Sequence, residues 1–231
     1  MRVALFVTCL ADTLQPSVGR ATVALLERLG VEVEFPRAQT CCGQLHLNSG
    51  YSEVAAGLAQ RFVEVFAGYD AVVVPSGSCA RRCPAHVAER ADDPEGVAAR
   101  TFELSEFLVD RLGVTDVGSR FEGSVTYHPT CHSLRTLRLG DRPESLLRGV
   151  AGVDLRPLGE ATECCGFGGM FAVRNADVST AMLADKLRRV EETGADVVCA
   201  CDASCLLQIG GGLERRGSPV RAVHLAEVLA S

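Results

Sequence analysis

At 231 residues, with 47% hydrophobic and 23% charged side chains, the chain has ordinary globular composition and can bury one large core or two smaller ones. Its net charge is −6, it has no tryptophan and only three tyrosines, and these leave little for nucleic-acid binding. No stretch approaches the ~18 uncharged apolar residues of a membrane span, so none is expected.

The first elements alternate strand and helix. Residues 3–7 are short and apolar and predict a buried strand rather than a signal peptide, because Asp12 follows at once and no small-residue cleavage pattern is present. That reading places the chain in the cytoplasm. Pro16 suits the first turn of a helix running to about Leu29, and Gly30 stops it. Residues 31–35 predict a second strand, followed by the loop Thr40-Cys41-Cys42-Gly43. Residues 52–66 predict an amphipathic helix, 71–74 a third strand, and 80–90 a further helix. Residues 102–112 read as a short strand entering a helix.

The second half repeats this order. Strands are predicted at 124–127, 153–156, 196–200 and 220–223, with helices at 175–192 and 225–229. Arg135, Arg138, Arg142 and Arg148 make a locally basic segment, read as a solvated face. Gly68-Tyr69-Asp70 recurs as Gly194-Ala195-Asp196, and Glu106-Phe107-Leu108 as Glu227-Val228-Leu229. Alternating strands and helices predict an α/β fold of two similar halves, residues 1–120 and 121–231, each a small, mostly parallel sheet with helices on both faces. Such sheets form sites beyond the carboxyl ends of their strands.

The chemistry lies in the cysteines, of which there are eleven. Cys41-Cys42-Gly43 recurs as Cys164-Cys165-Gly166. Cys9 stands 32 positions before Cys41, and Cys131 stands 33 before Cys164. Cys79 and Cys205 each follow an apolar run. Eight cysteines therefore form two sets of four: Cys9, Cys41, Cys42 and Cys79; Cys131, Cys164, Cys165 and Cys205. In a reducing compartment they are metal-binding, catalytic or buried rather than structural disulfides. A disulfide between neighbours such as Cys41 and Cys42 is strained, because their Cα atoms lie about 3.8 Å apart and a disulfide ordinarily needs about 4.4–6.8 Å. Four thiolates suit zinc or an iron–sulfur cluster, and the spacing leaves both open. A thiol–disulfide redox protein using the vicinal cysteines is a third reading. His128 and His132 flank Cys131 and are candidates to ligate metal, bond to sulfur or carry a substrate proton; His46 follows the first Cys-Cys-Gly and is equally ambiguous. Neither Gly166-Phe167-Gly168-Gly169 nor Gly210-Gly211-Gly212 completes a dinucleotide-binding motif after a strand.

The duplicated pattern resembles the cysteine-rich CCG domain of heterodisulfide reductase and of the glycolate oxidase iron–sulfur subunit. It is closer still to the lactate utilization protein A family, through Leu5-Phe6-Val7-Thr8-Cys9-Leu10, Cys41-Cys42-Gly43-Gln44, Asn48-Ser49-Gly50-Tyr51, Pro75-Ser76-Gly77-Ser78-Cys79, Cys164 to Gly169 and His224-Leu225-Ala226-Glu227. The resemblance implies cytoplasmic oxidation of L-lactate to pyruvate by a three-protein complex, in which this chain is the cysteine-rich electron-transfer subunit beside a ferredoxin-like iron–sulfur partner and a third subunit. It implies one or two [4Fe–4S] clusters, cubane or non-cubane, held by the eight cysteines, with structural zinc in a scaffold subunit as the alternative. Relatives end each motif in Cys-x-x-Cys. This chain has Ser76 and Asp202 where the first of those cysteines would stand, and Cys83 and Cys201 are candidate replacement ligands.

Overall fold

The computed structural model describes residues 1–231. The chain divides into two compact units, Met1–Gly113 and Val114–Ser231.

The first unit runs β1 (Arg2–Leu5), α1 (Cys9–Leu14), α2 (Pro16–Arg28), β2 (Glu32–Glu34), α3 (Gln44–Asn48), α4 (Ser52–Phe66), β3 (Ala71–Val74), α5 (Gly77–Arg90), β4 (Thr101–Glu103) and α6 (Leu104–Glu106), which continues into a π-turn over Phe107–Arg111. Its four strands are parallel in the order β2-β1-β3-β4. Every residue of β3 is buried, as are Val3, Ala4 and Leu5 of β1. Unbroken apolar strands of this kind belong to a parallel sheet covered on both faces. The order changes direction between β1 and β3, and a crevice opens beyond the carboxyl ends of strands at such a switch. Phe6, at the end of β1, packs edge-on against Phe62 and Phe66 of α4 at centroid distances of 5.3 and 5.5 Å.

The second unit runs β5 (Arg120–Tyr127), α7 (Arg142–Gly149), β6 (Ala151–Arg156), α8 (Met170–Arg174), α9 (Ala176–Glu192), β7 (Val197–Ala200), α10 (Ala203–Arg215), β8 (Arg221–His224) and α11 (Leu225–Ala230), with a π-turn over Ser133–Leu137. Its parallel order, β6-β5-β7-β8, reproduces the first. The recurring aspartates have the same task. Asp70 accepts the backbone N–H of Arg2 at 2.7 Å, and Asp196 accepts that of Ser124 at 2.9 Å. Each pins the strand that leads to the first cysteine of its unit. No helix is long and apolar enough to cross a membrane.

Several elements differ from the sequence expectation. Helices α1, α3 and α8, of five or six residues, were not expected. Isolated helices shorter than ~12–15 residues are marginal, so these depend on the tertiary frame rather than on a local signal. β5 begins four residues before Ser124, and its first half alternates exposed and half-buried positions without an apolar run. α5 begins at Gly77, capped by Ser76, whose Oγ accepts the Cys79 N–H at 3.3 Å.

Candidate metal centres

In the first unit the fold brings four cysteines from three segments to the β1/β3 switch. Cys9 opens α1 directly after β1, Cys41 and Cys42 precede α3, and Cys79 lies in the first turn of α5. The Cys9 and Cys41 sulfurs are 3.6 Å apart, and those of Cys42 and Cys79 are 3.2 Å apart. A disulfide bond is about 2.05 Å, and none of the eleven cysteines is in a disulfide. Four thiolates around one ion at about 2.3 Å would have sulfurs roughly 3.8 Å apart, close to these spacings. Gly43 takes φ +80°, which turns the chain so that its N–H reaches the Cys41 sulfur at 3.5 Å.

The sulfurs share protons unequally. The Cys41 thiol draws Cys9 down to about 7, and Cys41, Cys79 and Cys83 hold Cys42 well below the ordinary thiol value. Cys41 is pushed up by Cys42 and Cys9, and Cys83 by burial and Cys42. A thiolate forms here only while its neighbours keep their protons, because adjacent like charges oppose further ionisation. A cation at the centre would remove that opposition, so the donor set suits a thiolate-bound metal or cluster.

The second unit repeats the arrangement. Cys131 follows β5, Cys164 and Cys165 precede α8, and Cys205 lies in the first turn of α10. Thiol contacts run from Cys131 to Cys164, to Cys165, to Cys205. Cys131 and Cys165 hold Cys164 down to about 2 while they are themselves pushed up. Gly166, at φ +86°, donates its N–H to the Cys164 sulfur at 3.4 Å. Ser179 donates its hydroxyl to the Gly166 carbonyl at 2.8 Å, which ties the loop to α9.

His128 joins this set. A ligand atom of His128 and the sulfurs of Cys165 and Cys205 all lie within 4.8 Å of one another. The ring is fully buried, and neither nitrogen has a protein hydrogen-bond partner. Burial, reinforced by Lys186, lowers its pKa to about 4, so the imidazole is neutral at pH 7. His132 is half-buried and stands outside that set, and the His46 Nδ1 is buried without a protein partner.

The two extra cysteines are placed differently. Cys83, one helical turn after Cys79, is buried against Cys42. The Cys201 sulfur lies 2.9 Å from Ser133 Oγ and 3.8 Å from Thr130 Oγ1. Ser76 and Asp202 hold cap positions at the helices that carry Cys79 and Cys205, and Asp202 Oδ2 also accepts the Thr130 hydroxyl at 2.6 Å.

Sequence reasoning missed Lys186. It is fully buried, and its Nζ donates to the carbonyls of Glu160 and Ala161 at 3.1 and 3.4 Å, on the approach to Cys164. The one available signal was a lysine on the inward stripe Met182, Lys186, Val190 of α9. Phe62 and Lys186 are each the eleventh residue of α4 and α9, and both helices bury the same face.

The cysteine-rich CCG domain family matches this chain twice, over residues 3–82 and 125–210, one match in each unit. The chain belongs to the lactate utilization protein A family. It is 47% identical to lactate utilization protein A of Bacillus pumilus over 237 residues, covering 100% of both chains. The same-named protein of Exiguobacterium sp. is 49% identical, covering 98% of this chain and 96% of its own. That of Geobacillus kaustophilus is 48% identical, covering 99% and 98%.

Proposed function

We propose that this chain is the iron–sulfur electron-transfer subunit of a cytoplasmic complex that oxidises L-lactate to pyruvate. Each repeat, 1–120 and 121–231, holds one [4Fe–4S] centre. The observation that carries the reading is the convergence of four sulfurs in each unit where the strand order switches. Cys9, Cys41, Cys42 and Cys79 would hold the first centre, with Cys83 against Cys42 as an additional donor. Cys131, Cys164, Cys165 and Cys205 would hold the second, with His128 beside it. The family supports lactate as the fuel of the complex.

Oxidation of lactate to pyruvate releases two electrons and two protons. When bound, the clusters supply one-electron redox chemistry, and two of them match the electron count. The chain's own residues place the sulfurs and exclude water from Cys42, Cys79 and Cys165, all buried. His128 is a neutral buried base beside the second set, and His132 a less buried candidate for carrying a substrate proton. A ferredoxin-like iron–sulfur subunit and a third subunit would complete the complex.

One observation favours a second reading. The grouping of His128 with Cys165 and Cys205 is a mixed nitrogen–sulfur set of the kind that binds structural zinc, and zinc would make this chain a scaffold subunit. The two readings separate on lactate-dependent bleaching. Purified without oxygen and mixed with its two partner subunits, the chain should lose its visible iron–sulfur absorption when L-lactate is added. A colourless chain that carries zinc and does not respond to lactate would overturn the electron-transfer role.

A further inference from the structure

The two units match in backbone and differ beside the sulfurs. Phe6 closes β1 by donating its N–H to the Val73 carbonyl at 2.9 Å, and His128 does the same to Cys199 at 2.8 Å. These two residues therefore hold one position in the repeat. Phe62 and Lys186 hold a second, the eleventh residue of the following helix. In the first unit the two positions form an aromatic contact. In the second they put an imidazole and an ammonium inside the protein, and Lys186 acts electrostatically on His128, Cys131, Cys164 and Cys165. A third position differs as well: Cys83 lies against Cys42 in the first unit, and the matching residue of α10 is Ile209, which is core.

We infer that Lys186 and His128 set the second centre at a higher reduction potential than the first, so that the first electron added to the chain resides in the second unit. This rests on the iron–sulfur reading above. Reduction adds negative charge, and a buried cation stabilises the reduced state more than an exposed one does, because little solvent screens it. Lys186 is fully buried. The first unit has a cation near its sulfurs in Arg82, but that side chain is partly exposed and turned to His86. Glu163 opposes Lys186 from an exposed position, where its charge is screened, and Asp202 acts on His128 while accepting the Thr130 hydroxyl. The glycine N–H bonds to Cys41 and Cys164 are nearly equal at 3.5 and 3.4 Å and cancel in the comparison. The buried imidazole brings an N–H donor beside the Cys165 and Cys205 sulfurs, where phenylalanine brings none, and hydrogen bonds to its sulfurs are among the factors that set a cluster's potential. An additional sulfur at Cys83 enriches the first centre in electrons, which lowers its potential relative to the second.

The test is an EPR-monitored redox titration of the anaerobic, iron-loaded full chain, with Cys9→Ser and Cys131→Ser assigning the signals to units. The wild type should show two waves, the higher in the second unit. Lys186→Met, which keeps the length and removes the charge, should move that wave to lower potential and leave the first-unit wave in place. His128→Phe, which installs the first unit's residue, should move it in the same direction, and it carries the test if Lys186→Met fails to load iron. Two waves that neither substitution moves, or a higher wave in the first unit, would overturn the inference and leave the iron–sulfur reading standing. A chain with no iron or sulfide would remove both.

Discussion

The Asp196 carboxylate holds Ser124 by two hydrogen bonds. Asp196 Oδ2 accepts the Ser124 backbone N–H at 2.9 Å and its hydroxyl at 2.6 Å. The pair fastens β5, which leads to His128 and Cys131, to the start of β7, which leads to Cys205. These bonds, chiefly the one from the hydroxyl, hold the Asp196 carboxyl below its ordinary range. A depressed carboxyl stabilises the fold above its unfolded pKa, near 3.9, and that stability is lost as pH falls through the folded value. Asp196→Asn should therefore be less stable than the wild type at about pH 6 and approach it at about pH 3. Urea midpoints at the two pH values read this directly. A difference that stays constant would contradict it.

The two Cys-Cys-Gly glycines should respond unequally to alanine. Both have positive φ, a conformation that costs a side-chain-bearing residue roughly 1 kcal/mol. At Gly43 an added Cβ would meet Ala55 at 3.5 Å, an ordinary contact. At Gly166 it would lie 2.5 Å from the Ser179 carbonyl oxygen, which is backbone and cannot rotate away. Gly43→Ala should cost roughly 1 kcal/mol, and Gly166→Ala about 3 kcal/mol or more, with loss of metal from the second unit first. Thermal unfolding and metal content of the two variants check the order.

Cys83 and Cys201 should separate under substitution. The Cys83 sulfur faces Cys42, whereas the Cys201 sulfur is taken up by Ser133. Cys83→Ala should reduce iron bound by the first unit. Cys201→Ala should leave iron content unchanged and cost roughly 1–2 kcal/mol for a small cavity and a lost polar contact. Iron content equal in the two variants would contradict the placement.

The closing helix α11 is held by a capping box in which Glu227 reaches the His224 backbone N–H at 3.0 Å and His224 Nδ1 accepts the Ala226 N–H at 3.1 Å. Glu227→Ala should cost roughly 1 kcal/mol without changing iron content, because α11 carries no candidate ligand. The melting temperature and iron content of the variant test the two halves of this expectation. The matching box in the first unit uses Glu103 and Glu106, so the recurring Glu-x-Leu sequence marks a helix start rather than a site.

What the sequence made legible follows from periodicity and repetition. The strand at Ala71–Val74 and the helix at Ser52–Phe66 were readable to the residue, one as an unbroken buried run and the other as an amphipathic stretch. The cysteine sets were readable because independent core cysteines would not recur in register. The placement of Cys83 and Cys201 was not. It depends on which face of a helix or loop meets the sulfurs, and Cys83 follows Cys79 by one turn on the same face while Cys201 precedes its helix. Lys186 was least legible, because lysine on a helix ordinarily reaches solvent and only the folded position shows it buried. Helices α1, α3 and α8 are too short to carry a local signal.

Iron, zinc and acid-labile sulfide per chain, measured on anaerobically purified protein, test the central claim most directly. Two [4Fe–4S] centres require about eight iron and about eight sulfide per chain. Halving both in Cys9→Ser and again in Cys131→Ser would assign one centre to each unit. Zinc near two per chain with no sulfide would contradict the account.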